Sequence, residues 1–469
     1  MLFNSLAFLI FLPTVLAILG LLPGRWRNPL LLVAGYFFYG CWDWRFLGLL
    51  FASTVIDFTA GRLMVAMGDG PQRKLVLVCA ISANLLILGF FKYFNFFVDS
   101  LASMLQWAGV HVSMPTLAIV LPVGISFYTF QSMAYAIDVY RRDTPPADRF
   151  LDYATYVAYF PQLVAGPIER AGHLLPQIVS PARVTPERIN LGLMLMLLGF
   201  VKKVLIADQL APEVDRIFSD PTPLSAGILL KGAYYFSFQI YCDFSGYSDI
   251  ARGVSELLGI RLRLNFNQPY LSQSITEFWR RWHMSLSEWL RDYLYISLGG
   301  NRGGMLATYR NLMLTMLIGG LWHGANWTFV VWGGLHGTYL VIERLLGVGP
   351  VRRLHPSGGV AWWAQRVGWS VLTFHLVMLA WVFFRAPDVA SACAFLSGIV
   401  RMDHLAAVGV GPVLVAAAVL AIDIPQYVAG YHTVFLRLPW WVQTPAYATA
   451  CFAMVLWGGS DVPFIYFQF

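Results

Sequence analysis

The sequence predicts an all-α, polytopic membrane protein, and three observations carry that expectation. Of the 469 residues, 58% are hydrophobic, 16% are aromatic and only 12% are charged, about half the charged share of an ordinary soluble protein. Mean hydropathy is +0.61, which places the chain among those that live in lipid. The basic residues fall mostly in short links between apolar runs: Arg25/Arg27, Arg62/Arg73/Lys74, Arg141/Arg142 and the stretch from Arg280 to Arg310. Cytoplasmic loops carry their charge in this way. In a soluble chain a net charge of +7 would suggest nucleic acid; here it reads as loop orientation, and no nucleic-acid partner is expected.

Apolar runs suited to membrane helices lie at about 3–22, 30–42, 46–64, 75–91, 117–139, 191–206, 226–240, 312–321, 327–342, 371–384, 413–424 and 446–456. Several are shorter than the roughly 20 residues a straight crossing needs. Short or broken segments survive in lipid only beside protein or a water-filled cavity. The sequence therefore predicts a funnel or tunnel, with re-entrant pieces near 30–42 and 153–164. The first run lacks a basic start and a small-residue cleavage site, and Arg25 and Arg27 follow it. It reads as a retained first helix with its N-terminus outside. Tyr36, Tyr39, Trp42 and Trp44 suit an interfacial aromatic belt. With no tandem repeat, low-complexity stretch or long linker, residues 1–469 read as a single domain. The five cysteines lie far apart without a CxxC pair, so neither a disulfide nor a metal site is expected.

Polar residues inside apolar surroundings mark where chemistry or helix contacts lie. Gln131, Ser132 and Asp138 in LPVGISFYTFQSMAYAIDVYRR suit bonds to neighbouring helices. Glu169 and Arg170, after the Gly166-Pro167 break, suit a pair at the membrane surface, with His173 in an exposed loop. Asp243, Ser245 and Asp249 follow an apolar run directly. Two readings stand side by side: a capped helix end, or carboxylates that line a cavity and orient a histidine or arginine.

The stretch 265–336 is the most pointed. Between 278 and 294 apolar residues recur at helical spacing with Arg280, Arg281, Glu288, Arg291 and Asp292 between them, which predicts a basic amphipathic helix near the interface. Arg280, Arg281, Arg291 and Arg302 would favour anionic lipid or a phosphorylated ligand. From Leu312 to Ile342 there is no Asp, Glu, Lys or Arg, yet His323, Asn326 and His336 are present. A buried imidazole in such surroundings is held neutral, as a general base must be. Gly319, Gly320 and Gly324 would leave room beside His323 for a substrate, and Asn326 would hold the ring or polarise a carbonyl. A packing histidine is the competing reading, and for His336 it is the stronger one. No G-x-S-x-G motif is present, and nothing activates Cys242.

EFWRRWHMSLSEWLRDYLYISLGGNRGG followed by GGLWHGANWTFVVWGGLHG resembles the signature of the membrane-bound O-acyltransferase (MBOAT) family, in the branch of the alginate O-acetyltransferases and teichoic acid D-alanine transferases. FYGCWDWRF, LPVGISFYTFQSMAYAIDVYR, FPQLVAGPIER and YCDFSGYSDIARG extend the resemblance to about Arg344; beyond that it is diffuse. The resemblance implies a ring of roughly 11–12 tilted transmembrane helices, with re-entrant and interfacial helices around a central tunnel, in a bacterial inner membrane. It places the family's nearly universal histidine on His323 and its second functional position on His283. It implies acetyl-CoA as cytoplasmic donor substrate, with no bound cofactor, and an extracytoplasmic acceptor of serine-hydrolase-like SGNH type. The product would be an O-acetylated exopolysaccharide such as alginate or cellulose, or alternatively peptidoglycan or another envelope polymer. On this reading Trp282, Trp322, Asn326 and Asp243 shape the site, and Arg280, Arg281 and Arg302 meet the phosphates of coenzyme A. A transporter of acyl donor is the reading from another class, and the absence of paired inverted repeats counts against it.

Overall fold

Lipid offers no water to satisfy a backbone, so each crossing segment must bond its own N–H and C=O groups. The computed structural model describes residues 1–110, 116–347, 359–458 and 464–465; its regular segments are helical, and none of the described residues is in a strand. Among them, five helical stretches are long and apolar enough to cross a membrane: Gly24–Ala66, Pro71–Trp107, Pro186–Ser219, Val360–Arg385 and Gly411–Ala429. Shorter apolar helices occupy Leu6–Leu21 and Val389–Val400. The chain is thus an all-helical, multi-pass membrane protein. These stretches are fewer than the apolar runs of the sequence: Gly24–Ala66 takes in two of those runs, Leu6–Leu21 is short, and other helices carry polar side chains within them. Gly304–His323 contains Arg310 and Asn311, and Trp327–Leu345 contains Glu343 and Arg344.

The chain forms two compact units, one from residues 1–196 and 250–263, the other from 197–249 and 264–469. Two of the three passages between them fall inside the helices Pro186–Phe200 and Ala226–Leu257. No linker marks them, which is why the sequence shows no boundary.

In the first unit, Ile125–Arg141 packs on Leu47–Ala66 and Pro71–Leu88. Buried polar groups tie these helices together, as side-chain amides and hydroxyls do in lipid. Asn84 Nδ2 donates to both oxygens of Asp57 at 3.0 Å, and Ser53 Oγ donates to Asn84 Oδ1 at 2.8 Å. Gln131 Nε2 donates to the Tyr156 carbonyl at 3.1 Å, a helix contact of the expected kind. Segment 30–42 lies within the helix Arg27–Asp43, while 153–164 folds as two buried short helices, Phe150–Val157 and Phe160–Leu163. Glu169 does not reach out to Arg170 at a surface. It is buried, lies 2.7 Å from His173 Nδ1 and accepts from the Arg263 backbone N–H at 2.6 Å. The helix Ala171–Val179 starts immediately after Arg170 and turns His173 back onto Glu169.

In the second unit, the helices Gly304–His323 and Trp327–Leu345 form a tight antiparallel hairpin. Glycines set its closeness. A Cβ on Gly320 would lie 2.2 Å from the Phe329 carbonyl oxygen, and one on Gly333 would lie 2.3 Å from that of Met316. A Cβ on Gly324 would fall 2.0 Å from the Phe329 ring. The positions beside these glycines, expected to leave room for a substrate, are occupied by Phe329 of the partner helix at Gly320 and Gly324 and by Leu290 at Gly319. These glycines serve close backbone approach.

The single amphipathic helix expected over 278–294 is broken. It runs as Ile275–Trp279, then Met284–Trp289, then a π-helical turn Leu290–Tyr295. The break falls at His283, whose φ of 42° and ψ of 54° are left-handed. A non-glycine residue in that region costs energy and is held there only by its surroundings.

Candidate active site

His283 and His323, far apart in sequence, are brought together in the second unit with ring centroids 6.4 Å apart. His323 ends the first hairpin helix, and the extended backbone of Gly324 follows it. Its ring meets Trp322 at 5.0 Å, Trp332 at 5.0 Å and Phe384 at 5.3 Å, all edge-on or nearly so. Its exposure is 4%. Aromatic edges carry partial positive charge and their faces partial negative charge, so such a cage fixes the plane of an imidazole without supplying an ion.

His283 is fully buried and sits edge-on to Phe244 at 4.7 Å. Its Nδ1 lies 3.2 Å from Asn265 Oδ1. That oxygen also accepts from Ser285 Oγ at 2.9 Å and from the Ser285 N–H at 3.3 Å, while Asn265 Nδ2 donates to Ser248 Oγ at 3.3 Å. An amide oxygen accepts only, so His283 Nδ1 carries the proton and Nε2 carries the lone pair. Burial pushes the imidazole of His283 down to about 3 from its ordinary value, so the ring is neutral at physiological pH. The backbone repeats this clamp: the Met284 N–H donates to the Asn265 carbonyl and the Asn267 N–H to the Arg281 carbonyl, both at 2.9 Å. We expect Asn265→Leu, which removes the acceptor from a buried N–H, to slow transfer by roughly 10- to 100-fold, about 1–3 kcal/mol. The kcat of the purified variant checks this.

The other residues singled out in the sequence divide. Trp322 touches both histidine rings, at 5.0 Å from His323 and 6.1 Å from His283. Trp282 is a wall residue, stacked on Phe278 at 5.4 Å and packed on Trp381 at 5.0 Å. Asn326 is not aimed at the imidazole. It caps the second hairpin helix by accepting from the Thr328 N–H at 3.0 Å, and its amide N–H donates to the Pro387 carbonyl at 2.8 Å. Asp243 does not orient a histidine or arginine. It pairs with Lys203 Nζ at 2.8 Å and accepts from the Ile465 N–H at 2.7 Å.

Arg281 is engaged within the chain, with Glu277 at 2.9 Å, the Asn267 carbonyl at 3.0 Å and the Tyr427 ring at 5.0 Å. Arg280 and Arg302 are exposed and have no side-chain partner among the described residues.

Sequence reasoning passed over Asn265, Trp332, Phe384 and the pair Lys202/Lys203. Only the lysines left a signal, two adjacent cations inside the apolar run LMLMLLGFVKKVLIA.

Two buried histidine rings, His283 and His323, walled by aromatic side chains in a helical membrane protein make up the candidate site. Comparison with known proteins says what kind of protein holds it. Residues 147–349 match the MBOAT, membrane-bound O-acyltransferase family. The whole chain is similar to a probable alginate O-acetylase of Azotobacter vinelandii, 42% identical with 100% of both chains covered. It is also similar to a probable alginate O-acetylase of Pseudomonas aeruginosa, 48% identical over 84% of this chain and 73% of the relative. A peptidoglycan O-acetyltransferase of Helicobacter pylori is 38% identical over 86% of this chain and 80% of the relative. The chain belongs to the membrane-bound O-acyltransferase family, and it is an O-acyltransferase.

Proposed function

We propose that the chain takes an acetyl group from cytoplasmic acetyl-CoA and delivers it across a bacterial inner membrane. The acceptor is an extracytoplasmic hydroxyl on a partner of SGNH type, serving O-acetylation of an exopolysaccharide such as alginate or cellulose. The observation that carries this reading is the buried pair His283–His323, 6.4 Å apart. Identities of 42% and 48% to probable alginate O-acetylases, against 38% to a peptidoglycan O-acetyltransferase, favour the exopolysaccharide over the cell wall.

His323 is the general base. It takes the acceptor hydroxyl proton as that oxygen bonds to the thioester carbonyl carbon. The carbon–sulfur bond then breaks, and the leaving thiolate takes the proton back from His323. His283, with its Nε2 lone pair set by Asn265, orients the donor or relays that proton. Neutral imidazoles suit this work because a charged ring could not accept the first proton. Arg280 and Arg302 are placed in exposed positions that suit the phosphates of coenzyme A. Coenzyme A is too highly charged to cross lipid, so only the acyl group passes outward. Trp322, Trp332 and Phe384 close over His323, and these rings must swing aside to admit substrates. That aromatic gate also keeps water from the thioester.

Purified full-length protein in proteoliposomes, with an SGNH-type acceptor inside and doubly labelled acetyl-CoA outside, tests the proposal. We expect the acetyl label on the acceptor and the adenine label left outside. Adenine label inside the vesicles with no acetylated acceptor would mean transport of the intact donor and would overturn it.

A further inference from the structure

Three helices of the first unit, Leu47–Ala66, Pro71–Leu88 and Ile125–Arg141, pack on one another, and the end of the first, the start of the second and the end of the third meet at one cavity. Its volume is about 450 Å³. Its lining residues include Arg73, Arg142 and Thr144 together with Val65, Val139 and Pro146. No carboxylate is among its lining residues.

We propose that this cavity binds the phosphate headgroup of an anionic phospholipid. The proposal is independent of the acyl-transfer site.

Charge points to an anion. Arg73 Nη1 lies 2.6 Å from Asp69 Oδ1 and Arg142 Nη2 lies 2.7 Å from Asp69 Oδ2. Two guanidinium groups share one carboxylate, which leaves one positive charge uncompensated in this group. The Arg73 side chain is itself built in. Arg73 is 5% exposed, and its Nη2 donates to the Val139 carbonyl at 3.1 Å and the Tyr140 carbonyl at 2.8 Å. Its buried Nε–H has no hydrogen-bond partner among the described residues. A buried donor left open calls for a partner, and a phosphate oxygen is one that guanidinium geometry suits.

Two features choose a lipid over free phosphate. The valines and prolines in the lining gain nothing from a hydrated ion but suit a glycerol backbone and the first carbons of an acyl chain. Val65, one of these residues, is 54% exposed and belongs to the apolar stretch Gly24–Ala66, which suits a cavity at the edge of the hydrocarbon. Arg62, Lys74, Arg141 and Arg149 lie near these helix ends in the sequence and suit a cytoplasmic side, where basic pockets between membrane helices take anionic headgroups.

The test is native mass spectrometry of the full-length protein, delipidated in detergent and then exposed to vesicles of equal phosphatidylglycerol and phosphatidylcholine. We expect phosphatidylglycerol to be retained in preference. Arg142 has a φ of 68°, so Arg142→Asn keeps a residue that tolerates the left-handed backbone while removing the guanidinium. It should lose roughly fivefold of that preference, whereas Arg142→Lys keeps most of it and both variants transfer acyl groups normally. Equal retention of the two lipids by the wild-type protein would overturn the proposal without reference to any variant. So would an unchanged preference in folded Arg142→Asn, or displacement of the lipid by millimolar inorganic phosphate.

Discussion

Replacing His323 by glutamine is expected to slow acyl transfer by about 10²- to 10⁴-fold, the range that general acid–base groups contribute. Thermal stability should stay close to that of the wild type. The choice of glutamine matters. His323 is packed among Trp322, Trp332 and Phe384 at 5.0–5.3 Å. Alanine there would open a hole costing about 2–5 kcal/mol, and a loss of activity would then mix chemistry with unfolding. His283→Gln should give a loss of similar order. Groups that act as one unit are far from additive, so the double variant should be little worse than the poorer single one. The check is single-turnover transfer of radiolabelled acetyl groups by purified variants matched for melting temperature. Wild-type rates in His323→Gln would remove the general base from the mechanism, and strictly additive losses would separate the two rings into independent roles.

How far this site was legible in the sequence follows from what each residue depends on. His323 and His283 were visible because imidazoles in apolar or tryptophan-rich surroundings are rare, and a family signature surrounds both. The helical class was visible because composition and loop charge decide it. The glycines beside His323 misled, because a sequence does not say what approaches a missing Cβ; here it is the Phe329 carbonyl and ring. Asn326 misled for a related reason. Asparagine before an apolar run is as good a helix cap as it is a catalytic amide, and here it is the cap. The regular apolar spacing over 278–294 hid the left-handed His283, since periodicity is blind to one residue held in a strained conformation by contacts such as Asn265. That break sits at the candidate site, where the His283 ring lies 6.4 Å from that of His323.

The second large effect is expected at Lys203, outside the reacting centre. Lys202 and Lys203 lie on a π-helical turn, Val201–Ala207, a form whose wider winding often marks functional segments. Lys202 pairs with Asp249 at 2.8 Å; Lys203 sits between Asp208 at 2.7 Å and Asp243 at 2.8 Å. All five side chains are buried. Removing one partner of a buried pair leaves an uncompensated charge and costs about 3–5 kcal/mol, so Lys203→Met should melt far below the wild type and accumulate poorly in membranes. Replacing the two carboxylates as well, with Asp208→Asn and Asp243→Asn, removes the stranded charge and should restore most of the stability, because neutral groups of the same shape carry a much smaller desolvation penalty. Activity need not return with it. Asp243 also accepts from the Ile465 N–H, and Phe244, next in the chain, packs 4.7 Å from the His283 ring. The ion cluster therefore fixes the helix that forms one wall of the site, and a neutral triple variant that is stable but slower would assign it that positioning role. Melting curves in detergent, read beside transfer rates, separate the two contributions. Wild-type melting in Lys203→Met would show that the lysine is not needed to hold these carboxylates.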